Sequence, residues 1–420
     1  MHAKTTLPNG LRLVTEDMPH TRSVALSFFI GAGSRYETLR QSGISHFIEH
    51  MCFKGTQKRP TSTDVCTPIE SVGGMLNAGT DKELTMYWCK VARPHFESAL
   101  DVLADILTGS LFDSAEMEKE RQVIIEEIHM AMDSPQQRVS MLLDEILWPG
   151  HPLGRDIAGT RQSVSGITRV MMLDYMKALY RPQNAVLAIA GDIDHKEMVE
   201  AVSAATAKWQ AKPAASTYKP YHDTLKKRVL IEKRDNEQTQ LCLALPGFSM
   251  THPERWKLDL INVILGEGMT SRLFTNIRDK MGLAYSISSY SEHFLDTGAL
   301  TITAGVDAKN LKTAIKAVMA ELKSLQKSIP KDEITKAKEL YKGRLLLRME
   351  DSRAVAGWLG GQEILMGKIM TVDEVIKKVE SVSAADLKDI AERVIQPGLM
   401  RLAAVGPVSP KEHLQELLTF

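Results

Sequence analysis

The sequence is poor in the features that mark membrane-spanning and disulfide-rich proteins. It has only four cysteines among 420 residues, none in C-x-x-C spacing, which indicates free thiols in a reducing compartment. No run approaches the roughly 18 consecutive apolar residues that a transmembrane helix requires. The first ten residues lead directly into a strand–turn pattern and lack the apolar core of a secretory signal. We therefore expect no membrane association and a cytoplasmic location.

The sequence also lacks an excess of charge of either sign. Its 52 basic and 52 acidic side chains cancel, whereas a protein that binds nucleic-acid phosphates needs a basic surface. Residues 1–210 carry 21 basic and 26 acidic side chains (net −5), and the remainder carries 31 and 26 (net +5). The simplest interpretation of that imbalance is a solvated surface. Neither a dinucleotide fingerprint nor a phosphate-binding glycine loop is present, and we expect no nucleic-acid partner.

One segment of the chain recurs at a constant offset of 215 residues. The matching pairs are Pro182 and Pro397, Gly191 and Gly406, Lys196 and Lys411, and Glu197 and Glu412. Each copy reads as an apolar strand, a glycine turn and a helix that starts with polar residues. Because the offset is close to half the chain length, the pattern favours an internal duplication.

The predicted elements describe an α+β protein. The predicted strands are Ser23–Ile30, Met75–Ala78 and Leu84–Val91, and the predicted helices are Ile44–Met51, Phe96–Leu107 and Met117–Met130. This mixture predicts two homologous halves of about 210 residues, each a mainly antiparallel sheet covered by helices. We assign them to residues 1–208 and 229–420. Residues 209–228, which contain Pro213 and Pro220, form the predicted linker.

The strongest chemical signal is a His-x-x-Glu-His motif at residues 46–50. The surrounding apolar side chains are spaced for one helix face: Ile44, Phe47, Ile48 and Met51. His46 and His50, one turn apart, point together from the opposite face and could share one zinc ion with an open position for water. Glu49 then fits the general base that deprotonates this water. The alternative is two surface histidines beside a carboxylate.

A third metal ligand must come from another part of the chain. The predicted helix over residues 116–130 offers Glu120, Glu126 and Glu127. Glu120 and Glu127 lie seven residues apart on one stripe and could both face a metal ion, whereas Glu126 points about 100° away. From the residues alone, Glu126 and Glu127 both stay open as the third ligand.

The sequence around these residues resembles the pitrilysin/insulinase family of zinc peptidases with the inverted motif, on the branch of mitochondrial processing peptidase and its bacterial relatives. The segments that carry the resemblance are residues 43–56, residues 73–80 with Glu83, Thr85 and Tyr87, and residues 120–128, 151–155, 271–274 and 278–285. They run over nearly the whole chain. The resemblance implies a zinc-dependent endopeptidase with one Zn²⁺ per chain.

The resemblance also implies a role for each residue of the metal centre. His46 and His50 match the zinc histidines of the family, and Glu49 matches its catalytic base. Glu127 matches the third zinc ligand, which decides against Glu126. Glu120 matches a carboxylate that supports the ligands, as metal sites generally require.

Further residues match the family's substrate-binding positions. Asn77 and Ala78 match an edge strand to which an extended peptide adds itself. Phe53 falls where relatives line the pocket after the scissile bond. Arg278 and Tyr285 match a pair that contacts the substrate and stabilises the charge developing on its carbonyl oxygen. Without the resemblance, these two would be interpreted as an ordinary surface arginine and a core tyrosine.

These expectations combine into one functional prediction and its alternatives. The substrates are short or unfolded peptides, bound as an extended edge strand inside a clamshell chamber, which the resemblance implies is formed by two chains that close on each other. The acidic first half weakly favours basic residues near the cleaved bond. The second half has no His-x-x-Glu-His motif. Residues 260–268 lie in the region that corresponds to residues 46–50 of the first half. We expect a homodimer. The alternatives are a heterodimer with a related subunit or a non-catalytic subunit of a processing-peptidase-like assembly.

Overall fold

The computed structural model describes residues 2–209, 217–223, 227–409 and 412–420. The strands are β1 (Ala3–Thr6), β2 (Arg12–Asp17), β3 (Ser23–Ile30), β4 (Met75–Thr80), β5 (Thr85–Ala92), β6 (Ala185–Gly191), β7 (Val229–Lys233), β8 (Gln238–Pro246), β9 (Ala284–His293), β10 (Gly298–Asp307) and β11 (Arg401–Gly406). The helices are α1 (Ile44–Cys52), α2 (Ser62–Glu70), α3 (Phe96–Thr108), α4 (Ser114–Asp133), α5 (Pro135–Leu147), α6 (Arg161–Gly166), α7 (Arg169–Leu179), α8 (His195–Thr206), α9 (Arg255–Gly266), α10 (Leu311–Lys327), α11 (Lys331–Arg348), α12 (Ser352–Met366), α13 (Val372–Ser381) and α14 (Ala384–Val394). The predicted strands and helices are confirmed, with bounds shifted by a few residues.

The strands form two sheets with the same internal order. One sheet has the order β1-β2-β6-β3-β5-β4 and the other β7-β11-β8-β10-β9. Without the N-terminal β1, the two orders correspond strand for strand. In each sheet one pair is parallel, β2 with β6 and β7 with β11, and the remaining pairs are antiparallel. The predicted α+β class with mainly antiparallel sheets is confirmed, and the shared order is what an internal duplication predicts.

The repeated segment occupies equivalent places in the two sheets. Pro182 and Pro397 each begin a short 3₁₀ turn that leads into β6 and β11. Gly191 and Gly406 end these strands, and a Cβ atom at Gly191 would lie 2.4 Å from the carbonyl oxygen of Ser23. At both positions only glycine allows the neighbouring backbone to approach this closely. Lys411, the partner of Lys196 in the repeat, lies outside the described residues.

By its contacts the chain divides into two compact units. Unit 1 comprises the described residues of 1–129, 156–219 and 346–370, and unit 2 those of 130–155, 220–345 and 371–420. The units do not coincide with the predicted halves, because unit 1 includes α12 from the second half and unit 2 includes α5 from the first. Part of the predicted linker, residues 209–228, lies outside the described residues. The division at 1–208 and 229–420 therefore stays a prediction about the duplication.

Apolar packing explains why α12 belongs to unit 1 and α5 to unit 2. In unit 1, Leu359 of α12 packs in one buried cluster with Phe29 of β3 and Ala188 of β6. In unit 2, Leu143 of α5 packs with Cys242 of β8 and with further side chains of β11. Burying one large aliphatic side chain contributes about 1.5–3 kcal/mol, so either helix is held firmly by the several it buries.

None of the helices built from the described residues is both long enough and apolar enough to cross a membrane.

Candidate metal centre

The N-terminus of α1 is fixed by glycine geometry and by a buried carboxylate. Gly43 has a φ of 91°, and a Cβ atom there would lie 2.4 Å from the carbonyl oxygen of Ala158. The side-chain oxygens of Glu37 accept hydrogen bonds from the backbone N–H groups of Gly43 and Ser45, at 2.8 and 2.9 Å. A carboxylate at this end also interacts favourably with the helix dipole. Ser45 Oγ lies 2.8 Å from the hydroxyl of Tyr175, so the first turn has no freedom to shift.

The two faces of α1 differ as the sequence predicts. The side chains of its apolar face are completely buried: Ile44, Phe47, Ile48 and Met51. The side chains of His46 and His50 remain 19% and 17% exposed on the other face. Burial of the apolar face fixes the position of α1. The imidazoles are therefore held in place although they are not fully buried.

Glu127 of α4 completes a group of three possible metal ligands with the two histidines. The Nε2 atoms of His46 and His50 lie 3.3 Å apart, and Glu127 Oε2 lies 3.8 and 3.7 Å from them. Neighbouring ligand atoms of a tetrahedral zinc centre, with bonds of about 2.0 Å, lie about 3.3 Å apart. Among the described residues, this is the only cluster of His, Cys, Asp and Glu side chains that meets such distances. The donor set therefore fits one zinc ion after small side-chain movements.

The structure also distinguishes Glu127 from Glu126. The side chain of Glu126 is 71% exposed and its carboxylate lies 3.6 Å from His129 Nδ1. Glu127, one residue along α4, is directed at His46 and His50 instead. The assignment of Glu127 as the zinc ligand remains a proposal, but its carboxylate is the one that lies beside the imidazoles.

The protonation of His46 suits a metal ligand. Burial, together with the neighbouring His50, lowers the pKa of His46 to about 4, so the imidazole is neutral near pH 7 and one of its ring nitrogens has a lone pair for a metal. Its Nδ1 is buried and has no hydrogen-bond partner among the described residues. His46 therefore lacks the carboxylate support that His50 has.

Glu120 supports His50 and is itself held by Lys54. His50 Nδ1 donates to Glu120 Oε2 at 3.0 Å, and Lys54 Nζ lies 2.5 Å from Glu120 Oε1. Because Nδ1 carries the proton, Nε2 of His50 is left free to bind a metal. The family resemblance implies a supporting role for Glu120 but assigns none to Lys54. The spacing of four residues between His50 and Lys54, one helical turn, is the signal that could have found it.

Glu49 is held by Thr80 at the end of β4. Thr80 Oγ1 donates to Glu49 Oε2 at 2.7 Å. Burial raises the pKa of Glu49, and the hydrogen bond from Thr80 partly opposes that rise. A carboxylate whose pKa is moved toward neutrality is a better general base. Thr80 was not assigned a role from the sequence, since only the fold brings β4 beside α1.

The predicted peptide-binding residues lie on an exposed sheet edge. β4 is the last strand of its sheet and pairs only with β5 among the described strands. Asn77 is exposed and Ala78 half-buried, and the backbone N–H of Ala78 donates to Asn77 Oδ1 at 2.7 Å. Phe53 follows α1, and its ring stacks on Tyr87 with centroids 6.4 Å apart. These residues belong to unit 1, as do the histidines.

Arg278 and Tyr285 belong to unit 2. Arg278 lies in a π-helix, Leu273–Lys280, and its guanidinium carbon lies 4.6 Å from the ring centroid of Phe274 and 6.0 Å from that of Tyr285. The side chain of Tyr285 is 74% exposed, so the interpretation as a core tyrosine is wrong. The two residues adjoin each other, but their contribution to the site in unit 1 remains a prediction.

Comparisons of the sequence identify its relatives. Residues 12–161 match the family model described as insulinase, peptidase family M16, and residues 166–341 match the model of the peptidase M16 inactive domain. The chain is 36% identical over 409 residues to the uncharacterized zinc protease YmxG of Bacillus subtilis, which covers 97% of this chain and 98% of that protein. The predicted family resemblance is confirmed.

Solved structures share the fold over the full length. A protease from Helicobacter pylori superposes with a TM-score of 0.92 at 22% identity, covering 97% of this chain and 99% of that chain. A chain of Complex III₂ from Candida albicans superposes with a TM-score of 0.85 at 20% identity, covering all of both chains. At these identities the likeness shows the fold alone, and it agrees with the predicted two-part α+β architecture.

Proposed function

This chain belongs to the insulinase family, peptidase family M16, and from that membership we propose that it is a zinc-dependent endopeptidase with one zinc ion per chain. The observation that carries the proposal is the convergence of His46, His50 and Glu127, with ligand atoms 3.3 to 3.8 Å apart. Glu49 stands beside them on the same helix, with its pKa raised by burial. A metal ligand set next to a carboxylate base is the arrangement that metal-assisted hydrolysis needs.

The residues of this chain would divide the chemistry among them. A zinc ion bound by His46, His50 and Glu127 supplies a Lewis acid that lowers the pKa of water and polarises the peptide carbonyl. Glu49 accepts a proton from the attacking water and returns it to the leaving amine nitrogen. Thr80 keeps the carboxylate of Glu49 turned toward the site. Glu49 is therefore proton acceptor and then proton donor within one turnover.

The free edge of β4 supports extended peptides as substrates. Pairing with Asn77 and Ala78 would use the peptide backbone, which makes recognition tolerant of sequence. Short or unfolded peptides offer such an extended segment most readily, so we propose them as substrates. Phe53 on Tyr87 offers an apolar wall for the residue after the cleaved bond. Stabilisation of the carbonyl charge by Arg278 and Tyr285, and enclosure of the peptide in a clamshell chamber formed by two chains, remain predictions.

A non-catalytic role is the second candidate, and it is favoured by the match of residues 166–341 to the model of the peptidase M16 inactive domain. Against it, His46, His50, Glu127 and the base Glu49 are all present and grouped. The inactive-domain match falls on the part of the chain that lacks the motif. We therefore rank the peptidase first.

The proposal is tested with a mixed library of unfolded peptides and with zinc content measured on the same samples. Wild type and Glu49→Gln should each retain about one zinc per chain, and only wild type should cleave. Zinc retention without cleavage by wild type would favour the non-catalytic role. Absence of zinc from the wild type would contradict the metal centre altogether.

We also propose a homodimer in the cytoplasm, without a different subunit, because one chain holds both the histidines and the Arg278–Tyr285 pair. Light scattering of the purified chain should give twice the mass of one chain, together with peptidase activity. A monomer that is active only after a related subunit is added would contradict this assembly.

A further inference from the structure

We propose that Lys54 is a positioning residue of the metal centre and that it acts on His50 through Glu120. The inference rests on the proposed zinc-dependent function and deepens it, because it assigns a role to a side chain that would touch neither zinc nor substrate. Three observations carry it: the place of Lys54 on the α1 stripe, its contact with Glu120, and the charge of the centre.

The first observation is local geometry. α1 ends at Cys52, but Phe53 keeps a helical conformation (φ −94°, ψ 0°) and the backbone N–H of Lys54 donates to the carbonyl of Met51 at 3.1 Å. The chain therefore turns once more after the last histidine. His46, His50 and Lys54 follow one another at intervals of four residues, so they emerge along one side of the helix.

The second observation is the division of the Glu120 carboxylate. One oxygen accepts from His50 Nδ1 at 3.0 Å, and the other lies 2.5 Å from Lys54 Nζ. The side chain of Glu120 is only 8% exposed, so water cannot readily replace either partner. Held at both oxygens, the carboxylate cannot rotate away from the imidazole. The lysine thereby fixes the direction in which His50 Nε2 points.

The third observation is the balance of charge. Three carboxylates, those of Glu49, Glu120 and Glu127, lie at the centre, and the carboxylate of Glu120 is paired with the ammonium group of Lys54 at 2.5 Å. Removing the ammonium would leave a buried carboxylate without its cationic partner, and such a group turns toward solvent. His50 then loses the orientation that metal binding requires.

The test is a double-mutant cycle on zinc affinity. The zinc dissociation constants of apo wild type, Lys54→Met, Glu120→Gln and the double variant are measured by competition with a chromophoric chelator. Loss of a supporting partner typically weakens metal binding by about 10–100-fold, and we expect about tenfold from Lys54→Met. In the Glu120→Gln background Lys54→Met should have no further effect, because its route to the metal is already removed.

Two further variants guard the interpretation. Lys54→Arg keeps the positive charge and should bind zinc more tightly than Lys54→Met. Lys58→Met is a matched control, because Lys58 Nζ also lies 2.5 Å from a carboxylate, that of Asp101, which is no part of the metal centre. It should bind zinc like wild type. Thermal melting of each apo protein shows whether a variant folds. If Lys54→Met does not fold, Lys54→Arg takes its place in the mutant cycle.

The outcomes separate this inference from the proposed function. Wild-type affinity in Lys54→Met, or equal losses from Lys54→Met with and without Glu120, would overturn the role of Lys54 while leaving the zinc site intact. A loss in Lys58→Met as large as in Lys54→Met would overturn it as well, as a general effect of charge. Failure of wild type itself to bind zinc would overturn the proposed function and this inference with it.

Discussion

Helices α1 and α9 occupy equivalent positions between corresponding strands of the two sheets, but they differ in how much of their surface is buried. α1 lies between β3 and β4 in the chain, and α9 between β8 and β9, which are the matching strands of the second sheet. α1 leaves the His46, Glu49 and His50 face partly open. The middle and last turns of α9 are buried almost completely: Leu258, Leu260, Ile261, Asn262, Val263, Ile264, Leu265 and Gly266.

The polar groups of α9 are satisfied within unit 2 rather than presented to a ligand. The side-chain oxygen of Asn262 accepts from Ser289 Oγ at 2.6 Å. Asp259 lies 2.9 Å from Nε2 of His293, whose Nδ1 donates to the carbonyl of Phe248 at 2.7 Å. Helix α9 shows that this position in the fold packs without a metal centre among the described residues. The site in unit 1 is thus an addition to a scaffold that packs by its apolar face.

The largest expected effect comes from removing a proposed ligand on α1. His50→Ala should weaken zinc binding by more than 100-fold, since even supporting groups typically cost about 10–100-fold. Its thermal stability without zinc should remain close to that of apo wild type, because the apolar face of α1 is unchanged. Equilibrium zinc titration and thermal melting of the apo proteins measure the two quantities. A large loss of apo stability would mean that the imidazole is structural, as polar groups are in α9.

The next effect separates neighbouring carboxylates of α4. Glu127→Gln should weaken zinc binding strongly, because the amide is a poorer ligand than the carboxylate. Glu126→Gln is its control and should bind zinc like wild type, since Glu126 faces solvent and His129. Both are measured by the same titration. The reverse ranking would show that the third ligand has been misassigned.

A smaller effect is expected at Thr80, which donates a hydrogen bond to the proposed base, Glu49. Thr80→Val should lower kcat about 10- to 100-fold at unchanged zinc content, because one hydrogen bond to a charged group is worth about 1.5–3 kcal/mol and 1.4 kcal/mol is tenfold in rate. Since this hydrogen bond lowers the pKa of Glu49, its loss raises that pKa. The base is active when ionised, so the acid limb of the rate profile should move to higher pH.

Thr80→Ser keeps the hydroxyl group and removes only the methyl group, so it is the control for side-chain packing. It should retain most of the wild-type kcat and its pH profile. Equal losses in the valine and serine variants would indicate that the methyl group of Thr80 packs against the site, rather than that its hydroxyl orients Glu49.

The smallest effect concerns the pair formed by Asp259 of α9 and His293 of β9. Burial alone would lower the pKa of His293, but the hydrogen bond and charge of Asp259 raise it above its usual 6.5. A raised pKa in the folded state stabilises the protein fully below pH 6.5, and the contribution is lost as pH rises through the folded pKa. Denaturant unfolding should therefore show Asp259→Asn to be less stable than wild type at pH 6, by on the order of 1 kcal/mol. The gap should narrow by pH 8 or above, and a gap independent of pH would contradict this account.

The sequence predicted what depends on local periodicity. The apolar spacing around His46 and His50 located α1 and its outward face, and the seven-residue interval between Glu120 and Glu127 placed both on one side of α4. The repeat that contains Gly191 and Gly406 predicted two similar halves. Both glycines are required because a neighbouring strand's backbone approaches each of them too closely for a Cβ atom.

The remaining features depend on contacts between distant parts of the chain. The pattern of α5 and α12 shows that each buries a face but not which sheet covers it, so the exchange of these helices could not be predicted. The contact between Thr80 and Glu49 forms only when β4 pairs at the sheet edge beside α1. The choice between Glu126 and Glu127 needed a family resemblance, because the helical period separates their directions but does not show which direction faces the histidines.

The most direct test of the central claim is X-ray absorption spectroscopy at the zinc edge of the wild-type protein loaded with one equivalent of zinc. The account predicts a first shell of two imidazole nitrogens and carboxylate or water oxygens at about 2.0–2.1 Å, without sulfur. Sulfur scattering at about 2.3 Å would place the metal on cysteine, and a shell of oxygens without imidazole would place it away from His46 and His50. Either result would contradict a metal centre on α1.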